Sequence, residues 1–256
     1  MGEQLRDWRQ RRRLSQLALA CDAEISTRHL SFIETGRAAP SRDMVMRLAE
    51  RLEVPLRERN VLLVAAGFAP VFQERSLDAP ELAAARKAVD LVLAGHEPYP
   101  ALAIDRHWTL VAANGAVNRL LAGVAAELLA PPINVLRLSL HPAGLAPRIV
   151  NLPEWRAHLL ERLRQQIEVT ADPALASLAQ ELRTYHTPSS APPPKPSDDY
   201  AGILVPLRLR TGAATLSLFS TTTVFGTPVD VTLSELALES FFPADAATAE
   251  FLRQEP

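Results

Sequence analysis

Residues 14–40, LSQLALACDAEISTRHLSFIETGRAAP, decide the reading of this chain. Ser15 and Ser26 each precede a short apolar-periodic run, and serine at that place caps a helix by accepting an early amide N–H. For Ser15 the acceptable donors are the amides of Leu17 or Ala18. Leu30 and Ile33 recur at i, i+3 spacing and point inward together. Gly36 then supplies the left-handed residue that ends a helix. Two short helices joined by a tight turn form the order of a helix-turn-helix DNA reader, so the expected partner is double-stranded DNA.

Working outward, five helices fit residues 1–67. The first runs from Glu3 to Arg12, with Leu5 and Trp8 inward. The second starts at Ser15, with Leu17 and Ala20 as its inner face. Ser41 caps a fourth that carries Asp43 in its favourable first turn and buries Val45, Leu48 and Leu52. Pro55 opens a fifth and Gly67 stops it. The run Arg9, Arg11, Arg12, Arg13 is expected to be solvated or to edge the phosphates rather than to read bases.

The charge distribution agrees with this division. The whole chain of 256 residues carries a formal net charge of −2. Residues 1–75 hold 13 arginines, no lysine and 10 acidic residues, a net of +3; the remainder holds 14 basic and 19 acidic residues, a net of −5. A basic head on an acidic body fits a DNA module joined to something that does not touch DNA. The single cysteine, Cys21, excludes an intrachain disulfide and points to a reducing, cytoplasmic setting. No signal peptide and no membrane-length apolar run are read.

Beyond a short connection at 71–84 the period changes. A helix is predicted from Pro80 to Leu93, with Leu82, Ala85, Val89 and Val92 apolar. Two strands follow, 101–105 and 109–113, around an Arg106-His107 turn. Asn114 caps a helix, a short helix spans 134–140, and longer ones start at Pro153 and Asp172-Pro173. The proline-rich stretch 186–199 reads as a polar loop. Strands return with alternating Ile203, Val205, Leu207 and Leu209, then Leu216 and Leu218, then Val229, Val231 and Leu233. There the alternation slips, predicting a bulge near Ser234–Glu235. Asp245 caps a last helix. This order makes an α+β domain over 85–256, after an all-α DNA-binding domain over 1–70.

Two resemblances are carried by named residues. SQ at 15–16, Ser26, LSFIETGRAAPS at 30–41 and RLAERLEVP at 47–55 resemble the Cro/C1-type (xenobiotic-response-element family) helix-turn-helix, a five-helix lambda-repressor-like fold. The family usually has glycine where this chain has Arg13 and Glu24, so both turns must be made without glycine's freedom. The resemblance implies that Gln16 bonds a phosphate at a helix N-terminus. It puts Thr27, Arg28, Ser31 and Phe32 on the outward face of the recognition helix. Arg28 is the residue expected on a guanine, and Thr27 and Phe32 suit a thymine methyl. His29 is expected at the backbone, with Arg37, Ser41 and Arg42 clamping phosphate.

The second resemblance rests on ALAIDRHWTLVAANGAVNRLL (101–121), INVLRLSLHP (133–142), LPEWRAHLLERL (152–163) and VPLRLRTGAATLSLFSTTTVFGTPVDV (205–231). Their order is PAS-like and is similar to the C-terminal ligand-binding region of MmyB-like transcription regulators. It implies a domain that holds a small apolar or fatty-acid-like molecule. Trp108, Asn134, Arg137, His141 and Trp155, with Asn114, are the polar or aromatic landmarks among apolar runs, and Arg137 or Arg148 suits a carboxylate head. Each also has a plainer reading: Asn114 as a cap, the tryptophans as core, His141 as a turn residue.

The whole then reads as a sequence-specific, cytoplasmic transcription regulator, acting as a homodimer on an operator and sensing a small ligand. No other cofactor, metal, membrane partner or catalytic residue is expected, because no phosphate loop, nucleophile elbow or metal-ligand spacing occurs. The alternative reading makes the C-terminal region a dimerisation or protein-interaction module without a ligand.

Overall fold

A computed structural model describes residues 1–186, 204–212 and 214–254. In chain order the elements are α1 (Gly2–Arg11), α2 (Gln16–Asp22), α3 (Thr27–Glu34), α4 (Arg42–Arg51), α5 (Leu56–Ala65), a 3₁₀ turn (Pro80–Leu82), α6 (Ala83–Gly95), β1 (Ala101–Ile104), β2 (Leu110–Ala113), α7 (Gly115–Leu120), α8 (Ala126–Leu129), α9 (Val135–Leu140), a second 3₁₀ turn (Ala146–Arg148), α10 (Leu152–Thr170), α11 (Pro173–Thr184), β3 (Leu207–Arg210), β4 (Thr215–Val224), α12 (Val231–Ser234), β5 (Ala237–Pro243) and α13 (Ala246–Gln254). They form two compact units, one of Met1–Arg75 with Thr227–Ser234, the other of Ser76–Gly226 with Glu235–Pro256.

In the first unit the serine caps do what their spacing predicts. Ser15 Oγ accepts from the Ala18 amide at 3.0 Å, Ser26 Oγ from His29 at 3.1 Å and Ser41 Oγ from Met44 at 3.3 Å. Leu5, Trp8, Leu30, Ile33, Val45, Leu48 and Leu52 are all buried, as their periodicity requires. Arg13 and Glu24 stand at φ +55° and +56°, the left-handed conformation that glycine takes up without strain.

Two local expectations are corrected here. Leu17 is 63% exposed, and α2 instead buries Leu19 and Ala20. Gln16 occupies the inward place one turn before Ala20, where it meets a buried carboxylate. Arg9 is buried rather than solvated: its Nε and Nη2 donate to Glu34 at 2.7 and 2.9 Å, and Nη1 donates to the Leu14 carbonyl at 2.9 Å. A guanidinium taken out of water needs such partners.

The first unit is completed by a segment from far along the sequence. Residues 229–233, expected as a strand with a following bulge, instead lead into the single turn of α12. The Val231 amide donates to the Gln73 carbonyl at 2.8 Å, and Thr232 Oγ1 to the Arg75 carbonyl at 2.6 Å. Buried Asp230 accepts from Arg75 at 3.1 Å and from the Thr232 amide at 2.9 Å. The segment therefore makes one isolated parallel bridge, Gln73 with Asp230, instead of a strand, and its Val231 and Thr232 amides are partnered without one.

The second unit is built on a five-stranded antiparallel sheet of order β2-β1-β5-β4-β3. The chain lays down β1 and β2, inserts helices, then returns with the β3-β4-β5 meander. β5 pairs with both β4 and β1 and so joins the two halves. This is the expected PAS-like α+β arrangement. Its core joins Leu136 and Leu140 of α9, Leu159 and Leu163 of α10, Leu175 and Leu182 of α11, and Leu209, Leu216 and Leu218 of the sheet. The first 3₁₀ turn buries Leu82 and helix α6 buries Val89 and Leu93, while Val92, expected inward, is 46% exposed, because an i, i+4 step from Val89 selects Leu93. Val205 lies before β3; Ile203 and residues 187–199 of the proline-rich stretch lie outside the described residues.

Candidate DNA-reading surface and ligand cavity

The helix pair is held by a buried polar knot. Glu34 at the end of α3 accepts from Arg9 of α1 and, at 2.8 Å, from Gln16 Nε2 of α2. Burial pushes the Glu34 carboxyl up, but the hydrogen bonds from Arg9 and Gln16 outweigh it and leave the group below the usual carboxylate range. Gln16 thus spends one amide N–H on the knot and keeps the other at the N-terminus of α2.

The knot fixes which face of α3 stays open. Leu30 and Ile33 are buried, whereas Arg28 is exposed and Thr27, His29, Ser31 and Phe32 are half-buried. Arg28 lies over the Phe32 ring, its Cζ 5.3 Å from the centroid. Arg37 follows α3, Ser41 caps α4 and Arg42 begins it; all three are exposed. The guanidinium groups of Arg28, Arg37 and Arg42 carry no hydrogen bond or ion pair among the described residues. Arg9 and Arg12, by contrast, are consumed by the fold, Arg12 donating to the carbonyls of Leu52 and Glu53 at 2.8 and 3.0 Å. Uncommitted cations beside capped helix N-termini are the parts an anion-binding face requires.

In the second unit a cavity of about 100 Å³ opens between the sheet and helices α7, α9 and α10. Leucines line half of it, with Trp108, Val117, Val135, Trp155 and Phe241 among the rest. Of the landmark residues, Trp108 and Trp155 reach this cavity. Trp155 Nε1 donates to Ser139 Oγ at 3.0 Å. Trp108 stands at φ +65° in the β1–β2 turn, with its Nε1 on Gln166 Oε1 at 2.7 Å.

Asn134, Arg137 and His141 are placed elsewhere. Asn134 caps α9 through the Leu136 and Arg137 amides, both at 3.1 Å, and donates to the His107 carbonyl. Arg137 makes a paired contact with Glu181 at 2.8 and 2.7 Å on the surface. His141 Nδ1 accepts from the Ala143 amide at 3.0 Å, and the ring meets Tyr185 edge-on. Arg148 is spent on the carbonyls of Leu120, Ala122 and Arg210. Asn114 is an internal brace: it caps α7, accepts from the Ala101 amide and donates to the Leu93 and Tyr99 carbonyls.

Sequence reasoning missed two residues that the structure puts in the cavity wall, Arg162 of α10 and Glu239 of β5. They form an ion pair in which the Glu239 side chain is 5% exposed. The signal was present: Glu239 interrupts an apolar strand, and Arg162 sits beside the buried Leu163 of α10. Both residues, with Trp108, also line a second cleft of about 380 Å³, whose wall carries Asp105, Arg106 and Glu235 beside Ile104, Val169 and Ala237. Close by, burial and then the Arg162 charge push the His158 imidazole below its ordinary value. Among the described residues no group of three or more histidine, cysteine or acidic side chains is placed to hold a metal ion. No described helix is long and apolar enough to cross a membrane.

Comparison with known proteins matches both units. A helix-turn-helix domain model matches residues 1–62, and the model of the MmyB-like transcription regulator ligand binding domain matches residues 85–254. No curated protein matches the chain. One similar solved structure is described as that of an RNA-binding Light-Oxygen-Voltage Receptor. It shares 14% identity over 93% of this chain and 55% of its own, with a TM-score of 0.26, too little overlap to bear on fold or function.

Proposed function

The chain belongs to the MmyB-like transcription regulators, and from that membership we propose a homodimeric, cytoplasmic, sequence-specific regulator that responds to a small molecule held in its C-terminal cavity. At the coarser level it is a DNA-binding transcription regulator with a ligand-binding domain. One observation supports the finer reading above others: each unit presents a surface that its own fold does not use. In the first unit the uncommitted cations Arg28, Arg37 and Arg42 surround the open face of α3. In the second, leucines and tryptophans border a void.

In this reading Arg28 reads a base edge from the first turn of α3 while Thr27, Ser31 and Phe32 fill the groove beside it. Gln16, His29, Arg37, Ser41 and Arg42 hold the phosphates and set the register. Two copies place their recognition helices about 34–36 Å apart, one turn of DNA. A ligand that binds one packing of the cavity better than another shifts that spacing by its differential affinity. The ligand has an apolar body, because the wall offers mainly hydrocarbon. The activity is recognition, with no catalytic step.

Native mass spectrometry of the protein purified from its own host tests the ligand half. The expected result is an extra mass of about one hundred to a few hundred daltons on each chain. A clean dimer with nothing bound removes the sensor reading and favours a pure dimerisation module. Titration of DNA binding against salt tests the other half: affinity should fall steeply as salt rises, and a flat response would exclude phosphate recognition by this face.

A further inference from the structure

We infer that the Arg162–Glu239 pair is the headgroup filter of the cavity, selecting a neutral ligand that carries both a hydrogen-bond donor and an acceptor, an alcohol or a primary amide, over a carboxylate. The inference rests on the ligand-binding reading above and narrows it.

Arg162 and Glu239 are the only charged groups in the cavity wall among the described residues. They neutralise each other. Arg162 Nη2 donates to Glu239 Oε1, and Nη1 to Oε2 at 3.4 Å. Thr222, opposite Glu239 in the β4–β5 register, donates from Oγ1 to Glu239 Oε1 at 2.8 Å and accepts from Arg162 Nη2 at 3.1 Å. β5 is the central strand of the sheet, so Glu239 cannot swing out to solvent without breaking pairing on both sides.

Counting hydrogen-bond capacity gives the ligand class. A carboxylate offers roughly four acceptor positions and a guanidinium five N–H donors. Arg162 and Thr222 fill three positions on Glu239, which leaves an acceptor for a ligand O–H or N–H. Arg162 keeps two N–H groups, including Nε–H, without a hydrogen bond among the described residues. A hydroxyl or primary amide answers both needs. A carboxylate answers only Arg162, and it brings a second negative charge against Glu239 in a poorly solvated wall, where like charges repel strongly.

Position supports the same assignment. Trp108, Arg162 and Glu239 border both the apolar cavity and the second cleft. The pair, with Arg162 stacked 4.9 Å over Trp108, is therefore the partition between the hydrocarbon-walled cavity and a cleft that carries the charged Asp105, Arg106 and Glu235. A ligand head stops at this partition while its apolar body fills the cavity. A void of about 100 Å³ is smaller than the cavities of about 150 Å³ that accept benzene, so it limits the enclosed apolar body to at most about six carbons.

The test is titration calorimetry of the full-length protein with three six-carbon probes, 1-hexanol, hexanamide and hexanoate, at neutral pH. The expected result is that the alcohol and the amide bind, and hexanoate binds at least about tenfold more weakly. In Glu239→Gln the preference should reverse, because Arg162 is left without its counter-charge. Hexanoate binding the wild-type protein as tightly as hexanamide overturns the filter and leaves the ligand-binding reading standing. Failure of all three probes to bind overturns that reading as well. The comparison of probes on the unaltered protein decides the matter even if the variant does not fold.

Discussion

The same ion pair, arginine with glutamate, is buried once in each unit, in opposite circumstances. Arg9–Glu34 is buried between α1 and α3 and finished by Gln16 and the Leu14 carbonyl. Arg162–Glu239 has a void on one side. The first pair has its strong contacts supplied from within, so its work is structural: it locks α1 and α2 to the end of α3 and so orients the reading face. The second retains capacity that the fold does not consume. A buried charge pair reports on function when it faces space, and on architecture when it does not.

The contrast can be broken most readily at the first pair. Glu34→Gln strips the counter-charge from a buried guanidinium and should destabilise the helical unit by about 3–5 kcal/mol, read as a lower urea midpoint. Its pH dependence has a definite sign. The folded carboxyl is depressed, so its contribution is complete above the unfolded value of about 4.3 and is lost as pH falls through the folded value. The gap between wild type and Glu34→Gln should therefore narrow in acid; a gap that stays constant down to pH 3 or widens contradicts the ion-pair account.

Smaller effects follow on the open face. Arg28→Ala should cost about 1–3 kcal/mol of discrimination at one base pair. Arg37→Ala should weaken binding to all sequences alike and reduce the salt slope by about one. Smallest of all, Glu24→Gly should raise stability by up to about 1 kcal/mol, since it relieves a left-handed φ of +56°. If Glu24→Gly unfolds more readily, the turn is not strained.

Where sequence and structure agree, the information is local. Caps at Ser15, Ser26 and Ser41, the left-handed turns at Arg13 and Glu24, and the strand alternation about Leu207 and Leu216 each depend on residues a few places apart. Where they differ, the deciding partner is distant. Arg9 reads as surface until Glu34, 25 residues on, is brought against it. Residues 229–233 alternate like a strand, yet the partners that fix them are Gln73 and Arg75. The cavity landmarks divide the same way: Trp108 and Trp155 were legible as aromatics within apolar runs. Arg162 and Glu239, 77 positions apart, acquire meaning only as a pair.

Selection from a random double-stranded DNA pool tests most directly whether α3 reads DNA through residues the first unit leaves uncommitted. Wild-type protein should enrich a two-fold related motif with half-sites about one helical turn apart. Arg28→Ala should enrich the same motif with its preference for one guanine in each half lost. Identical motifs from the two proteins, or no enrichment by the wild type, would contradict the account.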